Sequence, residues 1–543
     1  MMSDTNENDM GWNAVSDVGI VVAGGSEAVA AGIGILENGG NAADATAATI
    51  IALNITDHVQ CSIGGEVPIL IYDAKNDEVK AISGQGRAPL SQDAVDWYME
   101  NGIPGDGDMK MAPVPSVIDS CATILQQYGT CSFEDILAAS LALLDKGSEV
   151  WHPKLAVTLR RMIEEEQMTV GSREDKIQAA CDRFYGRNKE RNDIAEELVE
   201  YYEERGGFLT REDLAAHKSV IEEPVSINYK GYEVFKCGPW TQGPFLCQAL
   251  RILEGFDLQA MGHFSADYIH VVTESIKLAM ADRDEHYADP EFVDVPIDAL
   301  FSAEYTELRR ELIDMQKASL EARPGDPQNM KALKEGGVFR PKVGGTTTCV
   351  IADRWGNVVS ATPSANVPAS PQDGGKAGVT FGNRLVSLNT CKGHPNVIEP
   401  GKRPSITLTP TLVMKDGKPI IAISVAGGDL QDQIALNLLL DLIDFDMTPK
   451  EAIKAPRFST RHHQDGFSPN PDREKAFIKA GSLDLRDTIE ESVQKELSDR
   501  DHDVTVSTWP MATPVILYID PASGTFYGAG DPETGRHAAG LKE

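Results

Sequence analysis

The sequence predicts an α+β fold in which sheets and helices stack as layers. Three features predict it: an alanine-rich helical pair near the amino end, a charge-dense helical middle, and a Thr- and Val-rich β segment after Gly344. Strands and helices come in runs without steady βα alternation, which disfavours a doubly wound parallel sheet.

In chain order, SEAVAAGIGILENGGNAADATAATIIAL (26–53) carries Ile33, Leu36, Ile50 and Leu53 at helical spacing. It reads as two buried helices divided by a glycine C-cap at Gly39-Gly40, the second starting near Asn41 or Asp44. SIGGEVPILIYDAKNDEVKAIS (62–83) holds two apolar runs around Asn76-Asp77 and reads as a hairpin. Residues 132–214 are helical, and their middle, 160–205, with three glutamates at 164–166, is expected to be mostly solvated surface. INYKGYEVFKCG is a strand pair, FLCQALRILEGF a helix, and SADYIHVVTESIKLAMADRDEHYADP a longer helix ending before Asp289-Pro290. Residues 303–340 show little apolar periodicity and are expected to be a connector carrying a processing or domain boundary. Past Gly344, TTTCVIADRWGNVVSAT reads as two strands around Trp355-Gly356. ITLTPTLVMKDGKPIIAISVAGG is a second pair turning at Asp416-Gly417, followed by a helix from about Leu430 to Phe445 and a strand-like close, ATPVILYIDPASGTFYGAGD.

At 543 residues the chain has room for three or four ordinary domains or one large layered unit. Its 50 Lys+Arg against 83 Asp+Glu leave a formal charge of −33, which argues against a nucleic-acid partner, since phosphate affinity needs clustered cations. No apolar run of about 18 residues appears, so no membrane partner is expected, and MMSDTNENDMGW lacks the regions of a secretory signal; a cytoplasmic address is the resulting expectation. The eight cysteines are scattered without close pairs, so they read as reduced structural residues and not as metal ligands.

Chemistry concentrates at Gly344-Gly345-Thr346-Thr347-Thr348. A threonine hydroxyl is a poor nucleophile unless a base adjoins it, and a free α-amino group on the same residue, titrating near about 8, is one such base. That arrangement requires cleavage of the chain just before the threonine, where a small residue such as Gly345 tolerates the geometry.

Here the sequence resembles the γ-glutamyltransferases of the N-terminal-nucleophile hydrolase superfamily. Eight motifs in the family's order carry the resemblance: ILENGGNAADA, SIGG, GGFLTREDLAAHK, ESIKLAMADRDEHYADP, TTTCVIADRWGN, KRPSITLTPT, VAGGD and GAGDP. The family nucleophile stands seven residues before an Asp and ten before Gly-Asn, which selects Thr346, given Asp353 and Gly356-Asn357. The resemblance implies a four-layer αββα sandwich. It also implies cleavage between Gly345 and Thr346 into a large subunit, 1–345, and a small one, 346–543, that stay associated; a larger homo-oligomer is left open. It places Gly427 and Gly428 as the oxyanion pair, Ser364 as a helper hydroxyl and Asn366 as a substrate contact. No cofactor or metal is implied.

The departures bear on substrate. The family's carboxylate-binding arginine falls at Gln85 in SGQGRAP, with Arg87 two residues on; the acidic residue for the substrate ammonium falls at Ser387, and the paired serines become Ile406 and Thr407. A neutral amide is no substitute for a guanidinium fork. The leading expectation is an autoprocessing amidohydrolase or acyltransferase acting on a small, carboxylate-bearing amide, in a divergent branch similar to those that hydrolyse oxamate-type or acyl side-chain amides, with Gln85, Arg87, Ser387, Thr407 and Asn366 around it. The alternatives are an authentic γ-glutamyltransferase or glutathione hydrolase, and an uncleaved, catalytically silent homologue.

Overall fold

The structure, a computed structural model, describes residues 10–105, 107–334, 346–365 and 372–542. Among the described residues two seven-stranded sheets form the centre. In spatial order one runs His537–Gly540, Gly19–Ala23, Cys349–Asp353, Val358–Ala361, Ile69–Asp73, Glu78–Ile82 and Ile221–Glu222. The other runs Asn13–Ser16, Phe526–Gly530, Thr513–Ile519, Lys418–Ala426, Thr411–Lys415, Tyr232–Lys236 and Val225–Tyr229. All neighbours in both pair antiparallel, which excludes the doubly wound alternative.

Alternation along the strands stacks these sheets. Val350 and Ala352 pack with Leu412, Ala422, Val515 and Leu517 of the opposite sheet, while Cys349 and Ile351 point the other way into helices. Likewise Ala422 faces the inter-sheet core, and Ile421 and Ile423 face Phe245, Leu436 and Leu439. A period of two thus sends every second residue to a sheet and the rest to helices, giving the αββα order.

The helical layer over Cys349–Asp353 contains the alanine-rich pair, Ser26–Glu37 and Ala42–Thr56. Asn41 caps the second helix and Asp44 completes the capping box. The Asp44 carboxylate also accepts from the Thr130 and Cys131 amides, tying in a distant loop. The two helices touch so closely that small residues are needed between them: a Cβ on Gly32 would stand 2.3 Å from Thr49 Oγ1. Asp416 and Gly417 turn the hairpin Thr411–Lys415/Lys418–Ala426 with φ of 51° and 74°.

Two expectations are corrected. The glutamates at 164–166 are not all solvated: Glu165 and Glu166 are buried. Glu166 accepts from the Phe133 and Glu134 amides at 2.8 and 3.0 Å, capping the helix Phe133–Lys146, and Glu165 pairs with Arg191. Residues 303–334 are no loose connector either. They include the helix Ala303–Arg310, whose Tyr305 and Arg309 are fully buried. Asp282, on the helix Ala266–His286, gathers the Tyr305 hydroxyl, Arg309 and the Gly325 amide. The remainder of that expectation, 335–340, lies outside the described residues.

Candidate active site

Thr346 enters the strand Cys349–Asp353 and is 3% exposed. Its backbone bridges Ser364, and their hydroxyls share a hydrogen bond at 3.3 Å. The Gln431 amide head lies 3.3 Å from Thr346 Oγ1 on the other side. Turned so that Nε2 donates to Val425 O at 3.0 Å and Thr407 O at 3.1 Å, this amide presents Oε1 to the Thr346 hydroxyl. The neighbouring threonines are differently placed: Thr347 Oγ1 donates to Asp57 at 2.7 Å, and Thr348 is fully buried.

Ser364 is held in turn by Arg384, whose Nη2 donates to Ser364 Oγ at 2.8 Å. Arg384 Nε donates to Glu66 Oε1 at 2.7 Å, and both residues are 0% exposed. Burial pushes the Glu66 carboxyl up while Arg384 opposes that shift. A chain Glu66–Arg384–Ser364–Thr346 therefore leads to the threonine, and the backbone of Glu66 also bridges Ser364.

Gly427 and Gly428 follow the strand Lys418–Ala426 with φ of 152° and 61°, conformations that favour glycine. A Cβ on Gly427 would meet Ala512 Cβ at 2.8 Å. The turn Gly428–Leu430 then opens the helix Gln431–Ile443, whose first residue touches Thr346. A helix N-terminus directed at a hydroxyl nucleophile provides N–H groups and a positive dipole end where an oxyanion would form.

Ser387 and Thr407 line one cavity of about 50 Å³, together with Arg283, Asp284, Asn389 and Arg473. The hydroxyl oxygens of Ser387 and Thr407 are buried and have no hydrogen-bond partner among the described residues. Charge beside the cavity is largely matched. Burial would raise Asp429, yet Arg283 holds its carboxyl below the usual range, and Arg283 also pairs with Asp284 at 2.7 Å. Burial pushes Asp432 up to about 6 against the opposing pull of Lys236, 2.6 Å away. Burial, aided by Arg473, lowers His394 to about 3 and keeps it neutral. On the far side of Gly427, Leu430, Ile478, Trp509 and Met511 line a more apolar cavity of about 380 Å³.

The remaining residues expected at the site are dispersed. Gln85 is buried, with Nε2 donating to Gly86 O at 3.1 Å. Arg87 is committed elsewhere: its guanidinium pairs with Glu291 at 2.7 Å and donates to Gly401 O at 3.1 Å. Gly345 and Asn366 lie outside the described residues. Asp353, one mark of the threonine's register, bonds structurally: it accepts from the Ala42, Trp355 and Asn357 amides, joining the hairpin to the helix Ala42–Thr56. Sequence reading missed Gln431 and Arg384. The one available signal for Gln431 was a run of polar residues, Gln431, Asp432 and Gln433, opening an otherwise apolar helix.

Among the described residues no cluster of His, Cys, Asp and Glu forms a metal site, and no helix is long and apolar enough to cross a membrane. A family-level sequence model, Gamma-glutamyltranspeptidase, matches residues 28–183 and 149–541. The chain is 28% identical over 555 residues to the glutathione hydrolase proenzyme of Bacillus subtilis (strain 168), covering 94% of this chain and 89% of that protein. It is also 28% identical over 556 residues to the acylase ACY 1 proenzyme of Pseudomonas sp. (strain V22), covering 95% and 92%. A solved structure of LmbA2991HD, 30% identical, superposes with a TM-score of 0.86 over 99% of this chain and 100% of that one.

Proposed function

The chain belongs to the γ-glutamyltranspeptidase family, amide-bond hydrolases and transferases with an N-terminal threonine nucleophile, and from that premise we propose an autoprocessing amidohydrolase or acyltransferase acting on a small, carboxylate-bearing amide. Cleavage between Gly345 and Thr346 yields chains 1–345 and 346–543. The new α-amine of Thr346, partly neutral at physiological pH, takes the hydroxyl proton as Oγ1 attacks the substrate carbonyl. Ser364 and Gln431 hold that oxygen in place. The amides of Gly427 and Gly428 receive the oxyanion, each such donor being worth about 3–4 kcal/mol of barrier. The amine then protonates the leaving group, and water or an acceptor amine resolves the acyl-enzyme.

The observation that carries this reading is the meeting of Thr346 with Ser364 and with the helix N-terminus that begins just past Gly427-Gly428. Substrate recognition is assigned to Ser387 and Thr407, the cavity-lining hydroxyls, and to Asn366 by resemblance alone. Arg87, already paired with Glu291, is assigned no substrate contact. The similarity to both a glutathione hydrolase and an acylase is compatible with more than one acyl group. Intact-mass measurement and amino-terminal sequencing test the chemistry: two chains are expected, the smaller beginning Thr-Thr-Thr-Cys, and Thr346→Ala should remain one chain without turnover. A wild-type chain that stays whole overturns the mechanism. Brisk hydrolysis of glutathione, with little of other acyl amides, overturns the substrate assignment in favour of an authentic γ-glutamyl enzyme.

A further inference from the structure

We propose that Arg384 is the anchor for a carboxylate on the substrate's acyl group, with the hydroxyls of Ser387 and Thr407 as its partners; this rests on the amidohydrolase reading above. Arg384 opens the 3₁₀ turn Arg384–Ser387 and is 0% exposed. Two of its three nitrogens are engaged, Nε by Glu66 and Nη2 by Ser364. The third, Nη1, is buried and finds no hydrogen-bond partner among the described residues. Burying a guanidinium N–H unpaired forfeits the whole cost of stripping its water, so native chains rarely leave one in that state. Ser387 Oγ and Thr407 Oγ1 are likewise buried and unpartnered among the described residues. Three unmet donors, one of them cationic, make the pattern of a ligand site built for an anion.

Contacts link Arg384 to the cavity that these two hydroxyls line. The guanidinium lies 5.2 Å from the centre of the Phe467 ring, and the residues on either side of Phe467, Gly466 and Ser468, line the cavity shared by Ser387 and Thr407. The Thr407 methyl is close enough to Gly466 that a Cβ there would meet it at 3.0 Å. Through Ser364 the same guanidinium is linked to Thr346, so an anion on Nη1 would be held beside the reacting carbonyl.

The other nearby cations are already occupied. Arg283 is divided between Asp284 and Asp429, Arg87 is paired with Glu291, and each terminal nitrogen of Arg473 donates to Gln464 Oε1 or to the Ser468 and Asn470 carbonyls. The Arg384 charge is shared with Glu66, so its free edge suits a monoanion; a phosphate dianion would bring a second charge against the buried Glu66 carboxylate. A planar carboxylate accepting from one guanidinium N–H and two hydroxyls fits both the charge and the donor count.

The test compares succinyl- and glutaryl-p-nitroanilide with their uncharged monoamide counterparts, read as the ratio of kcat/KM within each pair. The wild-type enzyme should favour a charged member at least about tenfold, and Arg384→Lys should reduce that ratio about 10- to 100-fold, the scale of a charge-assisted hydrogen bond, with the loss in KM. The double variant R384Q/E66Q, which leaves no carboxylate buried alone, should lose the ratio equally. A ratio preserved in either variant, including one in which both substrates decline together, shows a structural role and overturns the proposal, as does a wild-type enzyme indifferent to the charge. A chain that never cuts itself overturns the amidohydrolase reading instead. Calorimetric binding of glutarate to that uncut chain then still reads Arg384: a Kd at least about tenfold weaker in Arg384→Lys supports the anchor, and an equal or absent affinity in both overturns it.

Discussion

Gln431→Leu isolates the contribution of a side chain that no motif announced. Leucine is of similar bulk but removes the donations to Val425 O and Thr407 O and the acceptor facing the Thr346 hydroxyl. Each net hydrogen bond is worth about 1 kcal/mol, and leaving two carbonyls buried and unpaired raises the expected loss of stability to about 2–4 kcal/mol. Among the described residues the nucleophile loses one of its two side-chain partners and keeps Ser364. Losing one positioning hydrogen bond, about 1–1.5 kcal/mol of barrier, corresponds to roughly tenfold slower attack. The assay is a time course of self-cleavage after synthesis, with full-length chain and fragments quantified on denaturing gels, alongside urea melts of the uncut Thr346→Ala background with and without Gln431→Leu. Cleavage at the wild-type rate in a variant whose stability has fallen would show that Gln431 braces the helix start without orienting the hydroxyl, and the assignment would be withdrawn.

Gly427→Ala should reduce kcat about 10²–10³-fold with KM retained, because its methyl meets Ala512 and turns the oxyanion amides away; stopped assays on folded protein check it, and a wild-type kcat refutes it. His217 predicts an acid limb of stability. Burial lowers its pKa to about 4, so the native state stays neutral while the unfolded chain takes a proton below about 6.5. Its contribution is complete above about pH 6.5 and is lost progressively toward pH 4, by about 3 kcal/mol. Asp119 opposes that shift, and Arg187 and Arg87 reinforce it. Denaturant melts of His217→Phe across that interval should show the limb flattened. Asp353→Ala should cost about 3–4 kcal/mol in urea melts by stranding the Ala42, Trp355 and Asn357 amides, while folded protein still cuts before Thr346.

What the sequence disclosed were the locally determined features. Asp416-Gly417 marks its own turn, Asn41 and Asp44 their own helix start, and alternating Val, Ile and Thr the central strands. The expectation for 160–205 failed because composition reports charge and not its partner: Glu166 is buried because the helix Phe133–Lys146 presents its N-terminal amides to it. Residues 303–334 looked unstructured because part of their order comes from Asp282, on the helix Ala266–His286 outside the segment, and not from their own periodicity. The site divides the same way. Thr346 and the glycine pair stand in recognisable segments, whereas Arg384 becomes informative only once Glu66 and Ser364 converge on it and leave one nitrogen unmet. Pairings across hundreds of residues have no local signature.

The strand order has a mechanical consequence for the proposed nick. Gly19–Ala23 and Ile69–Asp73 come from before residue 345, and they flank Cys349–Asp353 and Val358–Ala361 from after it; the opposite sheet mixes its sources likewise. Neither fragment would own either of the two seven-stranded sheets. The two products would behave as one woven fabric whose threads cannot be drawn apart without unravelling both cores, so activity should survive dilution that separates ordinary heterodimers, and halves synthesised apart should fail to assemble unless they meet while still unfolded.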